Sequence, residues 1–397
     1  MKSYRYLIVG GGMTADAAAQ GIRESDAKGT IGMVSAEPDP PYLRPALSKS
    51  LWKGEPEASV WRGTDQLGVD LALGRTIVAL DPSAHEARDD QGETYRFERA
   101  LLATGGSPRR FDFGSDQIVY FRTLADYRFL RSVSDRGGEF AVIGSGFIGS
   151  ELAAALAANG RRTTLVFPEE TVGARLYPRD LGLFLNDYYR ARGVDVLPSH
   201  RVVGFEVRGG RKVLRLRDEA GGGEREVVAD AVAAGLGIIP NAGLARQAGL
   251  QEEDGIRVDE FLRTSAPDIY AAGDVARFYS PALGRHRRVE HEDNANTMGR
   301  TAGRNLAGAE ERYHHVPFFY SDLFDLGYEA VGEVDSRHEM ISDWKEPHRE
   351  GVVYYLEAGR VRGVLLWNVW GQVDAARALL AEPGPFRRED LLGRLPA

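Results

Sequence analysis

The 397-residue sequence contains no cysteine. That absence excludes disulfides, thiolate nucleophiles, cysteine-ligated iron–sulfur clusters and any dithiol relay within it. No apolar run reaches the roughly 18 residues needed to cross a bilayer. The chain passes from Met1 straight into an apolar segment without a charged leader, so a cytoplasmic location is expected. Positive charge is not in excess either: 50 Lys and Arg against 58 Asp and Glu leave a formal net charge of −8. A nucleic-acid surface needs the opposite balance, and none is expected. The eight histidines are scattered without a zinc-like spacing, so no metal site is expected. Glycine is abundant at 47 residues, dispersed without a collagen-like or linker-like period, which favours a fold rich in tight turns. The length suits two or three domains, each able to bury a substantial core.

Residues 4–9 (YRYLIV) form a short apolar run typical of a buried parallel strand, followed by three glycines and an alanine-rich helix. Gly10, Gly12 and Ala15 occupy the positions of a dinucleotide turn. The first makes the bend, the second lets a pyrophosphate approach the backbone, and the small third residue permits close helix–strand packing. A second strand at 31–35 leads to Glu37, about twenty residues further on, where an acid accepts hydrogen bonds from a ribose.

The same grammar recurs: strand EFAVI, turn Gly144-Ser-Gly146-Phe-Ile-Gly149, an alanine-rich helix, then strand 163–167 ending near Glu169 and Glu170. An acid here repels a 2′-phosphate and favours NADH. Arg161, Arg162 and Arg175 are close in sequence and keep NADPH open. Neither copy has lost a glycine or its acid. Two intact turns imply one retained dinucleotide and one exchangeable coenzyme, with hydride passing between them, and FAD with NAD(P)H fits.

PYLRPALSK at 41–49, the ATGG turn at 103–106 and TSAPDIYAAGD at 264–274 resemble segments of the FAD-dependent pyridine nucleotide oxidoreductases. Within that family the chain looks like the apoptosis-inducing factor group and the bacterial ferredoxin or rubredoxin reductases. RVEHEDNA at 288–295, FYSD at 319–322, GYEA at 327–330 and LWN at 366–368 resemble the first group more closely. The resemblance implies an α/β fold: two Rossmann-like, glutathione-reductase-type dinucleotide-binding domains plus a small α+β C-terminal domain. The FAD-binding domain would be discontinuous, 1–110 and 240–312. An NAD(P)-binding domain would be inserted at 111–239, and residues 313–397 would cover the flavin. The stretch 225–241 reads as one buried strand ending at Gly235 and Pro240, where the chain returns to the FAD domain.

The resemblance also implies roles. Lys49 would lie beside the flavin and pair with Glu151, since a buried ammonium stays charged and aimed only beside a carboxylate. On spacing alone, Lys49 reads equally as a solvated residue in a helix turn capped by Ser48. His291 and Glu290 match positions near the isoalloxazine, although HEDN is also an ordinary polar helix start. Tyr320 matches an aromatic near the nicotinamide or flavin, and Phe147 a gate that moves when nicotinamide binds. Arg44 and Arg122 resemble flavin-side arginines. Asp274 would meet the ribitol and pyrophosphate. Val78, Ala103, Thr104, Gly105, Ile148 and Gly235 complete the expected cofactor contacts.

Without a cysteine, electrons leave to an external acceptor. The leading expectation is an NAD(P)H-dependent reductase of a ferredoxin or rubredoxin, with the basic run 285–288 (RHRR) either steering an acidic carrier or forming a solvated hairpin. The alternative is an apoptosis-inducing factor-like NADH oxidoreductase. It would have slow turnover and a long-lived flavin–nicotinamide charge-transfer complex, acting on quinone or oxygen or as a redox-sensing partner. A homodimer follows by family habit, and a cell-death or DNA-binding role does not carry over.

Overall fold

The computed structural model describes residues 1–114 and 116–395. They divide into two compact units. The first comprises Met1–Arg44, Glu57–Ser107 and Ile239–Phe318, and the second Pro45–Pro56, Pro108–Ile238 and Phe319 onward. Each is built around its own glycine turn.

In the first unit, strands β1 (Lys2–Val9), β2 (Ile31–Ser35), β3 (Val69–Leu73), β4 (Ile77–Asp81), β5 (Glu86–Asp89) and β6 (Thr94–Leu102) form one sheet in the order β3-β2-β1-β6-β5-β4. The last three residues of β6 also pair in parallel with Ile269–Ala271, so a late segment is hydrogen-bonded into the first sheet. Helix α1 (Met13–Ser25) connects β1 to β2, as a parallel pair requires. It packs on a long later helix, Glu292–Leu306, through residues without side chains. A Cβ on Gly21 would stand 2.1 Å from the Arg300 carbonyl oxygen, and Cβ atoms on Gly299 and Gly303 would stand 2.5 and 2.1 Å from the carbonyl oxygens of Thr14 and Ala18. The two backbones therefore touch directly. A buried ion pair sits nearby: Asp16, fully buried in α1, accepts from Arg62 Nε, Thr64 Oγ1 and Gln20 Nε2 at 2.6, 2.6 and 2.7 Å.

The second unit holds a five-stranded parallel sheet, in order Val194–Leu197, Thr163–Val166, Phe140–Ile143, Ala231–Ala234, Ile118–Tyr120. Helices α2 (Leu124–Asp135), α3 (Phe147–Ala158) and α4 (Arg179–Ala191) belong to this unit. The stretch 225–241 is not one strand. Glu224–Ala229 closes a separate antiparallel sheet, whereas Ala231–Ala234 enters the parallel one. Asp230 divides them, because its amide and its Oδ2 are both tied to the Glu139 backbone, turning the chain there. The C-terminal residues form a five-stranded sheet, in order Phe318–Leu323, Leu326–Gly332, Arg360–Trp367, Glu350–Glu357, Glu339–Glu346, followed by helices Val373–Ala381 and Arg388–Leu391. Among the described residues no helix is long and apolar enough to cross a membrane.

The helix crossing yields a stability prediction. Gly303→Val drives a side chain into the Ala18 carbonyl and should destabilise the first unit by at least about 2 kcal/mol. Gly243→Ala, whose Cβ meets nothing within 4 Å, should be neutral. Thermal unfolding of the two variants beside the parent decides; equal midpoints would refute the tight crossing.

Candidate dinucleotide and redox site

The two glycine turns share one construction. Gly10 and Gly144 have φ of 123° and 97°, and a Cβ on either would lie 2.1 or 2.5 Å from the carbonyl oxygen of Ala103 or Gly235 respectively. Those carbonyls follow directly on β6 and on strand Ala231–Ala234, each the parallel neighbour of the strand entering the turn. The third positions are packed: Ala15 is fully buried, and a Cβ on Gly149 would sit 1.8 Å from the Gly144 carbonyl oxygen. The second positions differ in kind. Gly12 and Gly146 have extended backbones that any residue adopts, with φ of −92° and −76°. A Cβ on Gly12 would meet only the tip of Arg44 at 3.9 Å, and one on Gly146 nothing within 4 Å. Neither conformation nor internal packing calls for glycine there. Room for a pyrophosphate does, and these glycines are the N-caps of α1 and α3, where helix amides lack a side-chain cap. Both turns thus fit a dinucleotide.

In the first unit the expected contacts cluster around Gly12. Arg44 donates to Glu37 Oε1 at 2.7 Å and to the Tyr42 hydroxyl at 3.0 Å, and that hydroxyl donates to Glu37 Oε2 at 2.5 Å. Burial works against the Arg44 charge, but Tyr42, Glu37 and Asp274 outweigh it and push its pKa up. Arg44 therefore stays a cation beside the turn, and Glu37 is anchored by that arginine together with Tyr42, a residue assigned no role from sequence. Thr104 and Asn241 clasp each other, with Thr104 Oγ1 donating to the Asn241 carbonyl and Asn241 Nδ2 to the Thr104 carbonyl, both at 2.9 Å. The Asn241 amide also donates to the Gly105 carbonyl at 2.9 Å. Asn241, another residue missed from sequence, thereby holds the turn that carries Ala103.

Asp274 lies in a single turn, Gly273–Val275, wedged against Thr14. His291 is the N-cap of helix Glu292–Leu306. Burial, then the charge of Arg287, lowers the imidazole pKa to about 4 against the opposing pull of Asp274 and Asp293. Glu290 accepts from Arg288 at 2.6 Å, and Arg288 also donates to the Asp274 carbonyl at 3.1 Å. Its side chain is only 10% exposed, so the basic run is not a fully solvated docking patch. Arg285–Arg287 is a strand paired with Ala276–Ser280, and Arg288 is consumed within the fold. Val78 stands 45% exposed on β4.

In the second unit, Lys49 lies between two 3₁₀ turns, Arg44–Ser48 and Ser50–Lys53, rather than in a helix capped by Ser48. Its Nζ donates to Glu151 Oε1 at 2.7 Å and stands 5.1 Å from the Tyr320 ring centroid. The Lys49 and Glu151 side chains are 12% and 2% exposed. Two serines complete the carboxylate's shell: Ser48 Oγ donates to Oε2 and Ser321 Oγ to Oε1, each at 2.6 Å. Phe147, first residue of α3, packs edge-on against Phe319 at 5.1 Å, and Ile148 is 36% exposed. Arg122 precedes Thr123, the N-cap of α2, and its amide is held by Asp126. Beyond the strand Thr163–Val166, Glu169 lies 3.5 Å from Arg175, while Glu170 pairs with Arg179. Arg161 and Arg162 precede that strand and bind Asn159 and Glu139, at its opposite end. Among the described residues no group of three His, Asp or Glu side chains is arranged to hold a metal.

Residues 4–299 match the family model described as pyridine nucleotide-disulphide oxidoreductase. The chain belongs to the pyridine nucleotide-disulphide oxidoreductase family. Residues 302–350 match the apoptosis-inducing factor, mitochondrion-associated, C-terminal model. Monodehydroascorbate reductase 3 of Arabidopsis thaliana is 32% identical over 97% of this chain and 94% of its own. The anthranilate 1,2-dioxygenase system ferredoxin–NAD(+) reductase component of Burkholderia cepacia is 34% identical, covering 96% and 95%. The crystal structure of the covalent putidaredoxin reductase–putidaredoxin complex superposes with a TM-score of 0.89 at 29% identity, covering 98% and 96%. This family member is thus an NAD(P)H-dependent flavoprotein oxidoreductase, with FAD and NAD(P)H as the cofactors its family implies. Despite the family's name, its 397 residues contain no cysteine for disulfide chemistry.

The half-buried imidazole of His291 makes stability pH-dependent. An unfolded histidine takes up a proton near pH 6.5, whereas the folded one refuses it until about pH 4. Unfolding therefore gains protons between those values, and the folded state loses stability as pH falls through that window. Relative to His291→Gln, the parent should lose on the order of 1–3 kcal/mol between pH 7.5 and 4.5. Denaturant unfolding at the two pH values measures this, and parallel losses would disprove it.

Proposed function

We propose that this protein passes hydride from NADH to FAD and hands the electrons to a separate carrier such as a ferredoxin or rubredoxin. FAD-binding residues are assigned to 1–110 and 240–312, the NADH-binding domain to 111–239, and the flavin-covering domain to 313–397. The observation that carries the reading is the buried Lys49–Glu151 pair. A lysine enclosed this far is stable only with its counter-ion, and it provides a fixed positive charge suited to the reduced flavin. When bound, FAD supplies two-electron acceptance from a nicotinamide and release in single steps. The protein's own contribution is to hold the cofactor at the Gly10 turn with Arg44 and Asp274, admit the coenzyme at the Gly144 turn beside Phe147, and keep Lys49 charged. Hydride preference for NADH is supported by Glu169, since two of the three nearby arginines lie at the far end of the strand. External delivery is supported by the missing cysteines and by the ferredoxin reductase component among its relatives. We assign the enzyme to the cytoplasm.

The C-terminal match favours a second reading, slow NADH turnover with a persistent flavin–nicotinamide complex. Anaerobic titration with NADH and NADPH separates the two. Rapid bleaching followed by fast reoxidation on adding ferredoxin, with NADH preferred at least tenfold, is the result expected. A long-wavelength band outlasting added ferredoxin would establish the second reading instead. Lys49→Ala should slow flavin reduction at least tenfold, about 1.4 kcal/mol, and an unchanged rate would refute its assigned role. Monodehydroascorbate belongs in the acceptor panel because a relative is named for reducing it.

A further inference from the structure

Ser321 lies on strand Phe318–Leu323, whose residues alternate between half-buried and buried. Phe319, Ser321 and Leu323 take the buried positions, and Ser321 is 1% exposed. A hydroxyl placed there among apolar neighbours loses water and requires a partner. Its partner is Glu151, at 2.6 Å, on the same oxygen that accepts from Lys49. Ser48 occupies the other oxygen. The carboxylate is thus held by three donors from two distant stretches of chain. The neighbours of Ser321 continue the contact: the ring of Tyr320 stands 5.1 Å from Lys49 Nζ, and Asp322 pairs with Lys53 at 2.9 Å. Three buried tyrosine hydroxyls, of Tyr177, Tyr189 and Tyr328, also feel Glu151, all pushed above the ordinary tyrosine range by burial and hence neutral.

Geometry makes the function of these serines specific. One lysine leaves a buried carboxylate with an unsatisfied second oxygen and freedom to rotate about its terminal torsion. Ser48 takes the second oxygen and Ser321 shares the first with Lys49, so the serines clamp the carboxylate from both ends independently of the lysine; the plane they fix sets where Lys49 Nζ is held. We propose that Ser321, with Ser48, is a positioning residue that orients Glu151 and through it aims the Lys49 ammonium at the flavin. The inference rests on Lys49 being the flavin-side cation. It gives the C-terminal strand a part in tuning the redox centre besides shielding it.

The test uses the full-length flavoprotein and four variants: Ser321→Ala, Ser321→Cys, Ser321→Thr and Lys49→Ala. Stopped-flow reduction by NADH gives the limiting rate and coenzyme affinity separately, and spectroelectrochemistry gives the flavin midpoint potential. Loss of a hydrogen bond to a charged group should lower the limiting rate roughly tenfold in Ser321→Ala, with NADH affinity changed less than about twofold. The midpoint potential should move in the same direction as in Lys49→Ala, by a smaller amount. Ser321→Thr retains the hydroxyl and should restore rate and potential. Ser321→Cys keeps the volume with a weak donor and should fall between, which preserves the test if the alanine variant folds poorly. If Lys49→Ala shifts rate and potential while neither Ser321→Ala nor Ser321→Cys shifts either, the positioning role is overturned and the assignment of Lys49 stands. Equal impairment of the threonine and alanine variants would also overturn it. If Lys49→Ala itself changes nothing, the assignment of Lys49 fails, and this inference fails with it.

Discussion

A carboxylate cannot be buried by itself. Removing it from water costs several kcal/mol even after relaxation, and only charge-assisted hydrogen bonds offset that cost. Glu151, 2% exposed at the start of α3, imposes this condition on the whole second unit. It is met by a lysine and a serine from the segment 45–56 and by a serine from the C-terminal sheet. That short segment is separated from the first unit immediately after Arg44 and packs with the second. Neighbouring residues of one motif, Arg44 and Lys49, therefore serve different units: the first lies beside the Gly12 turn and the second on Glu151.

The two glycine turns are physical copies with different surroundings. In each, the first glycine lets the chain pass under a carbonyl of a neighbouring strand, and the second leaves a cradle in which no protein atom would crowd a side chain except the Arg44 tip. Around the first, the charge of Asp274 acts on both Arg44 and His291, as suits a cofactor held permanently by many contacts. Around the second, Gly146 is exposed, Ile148 is partly exposed, and Phe147 leans on Phe319. That more open setting suits a coenzyme that comes and goes. The backbone-to-backbone crossing of α1 and the helix Glu292–Leu306 links the first turn to its distant partners. It braces the turn carrying Asp274 between Thr14 and the Met298 sulfur.

Much of this was legible in sequence because it depends on short-range rules. Glycine spacing after an apolar run reports backbone geometry within a few residues, so both turns, their helices and the parallel strands were readable. The Lys49–Glu151 pairing came from family resemblance, since spacing alone equally allowed a solvated lysine. The stretch 225–241 misled because a largely apolar pattern with one aspartate in it does not reveal that Asp230 is tied to Glu139, a residue far away in sequence. The basic run was legible only in part, for a similar reason: residues 285–287 do lie in a hairpin, but nothing local indicates that Arg288 turns inward to Glu290 and the Asp274 carbonyl.

By itself the sequence determined two dinucleotide turns, the elements flanking them, and the exclusion of thiol chemistry, because each follows from local conformational preference or from residues simply not being there. Tertiary structure decided which polar side chains meet. Ser48, Ser321, Asn241 and Tyr42 are unremarkable as letters, and the one local hint was a serine on the buried face of an apolar strand. Their roles arise from burial: once water is removed, each hydroxyl, amide or charge must find a partner inside, and only the folded chain settles which partner is within reach.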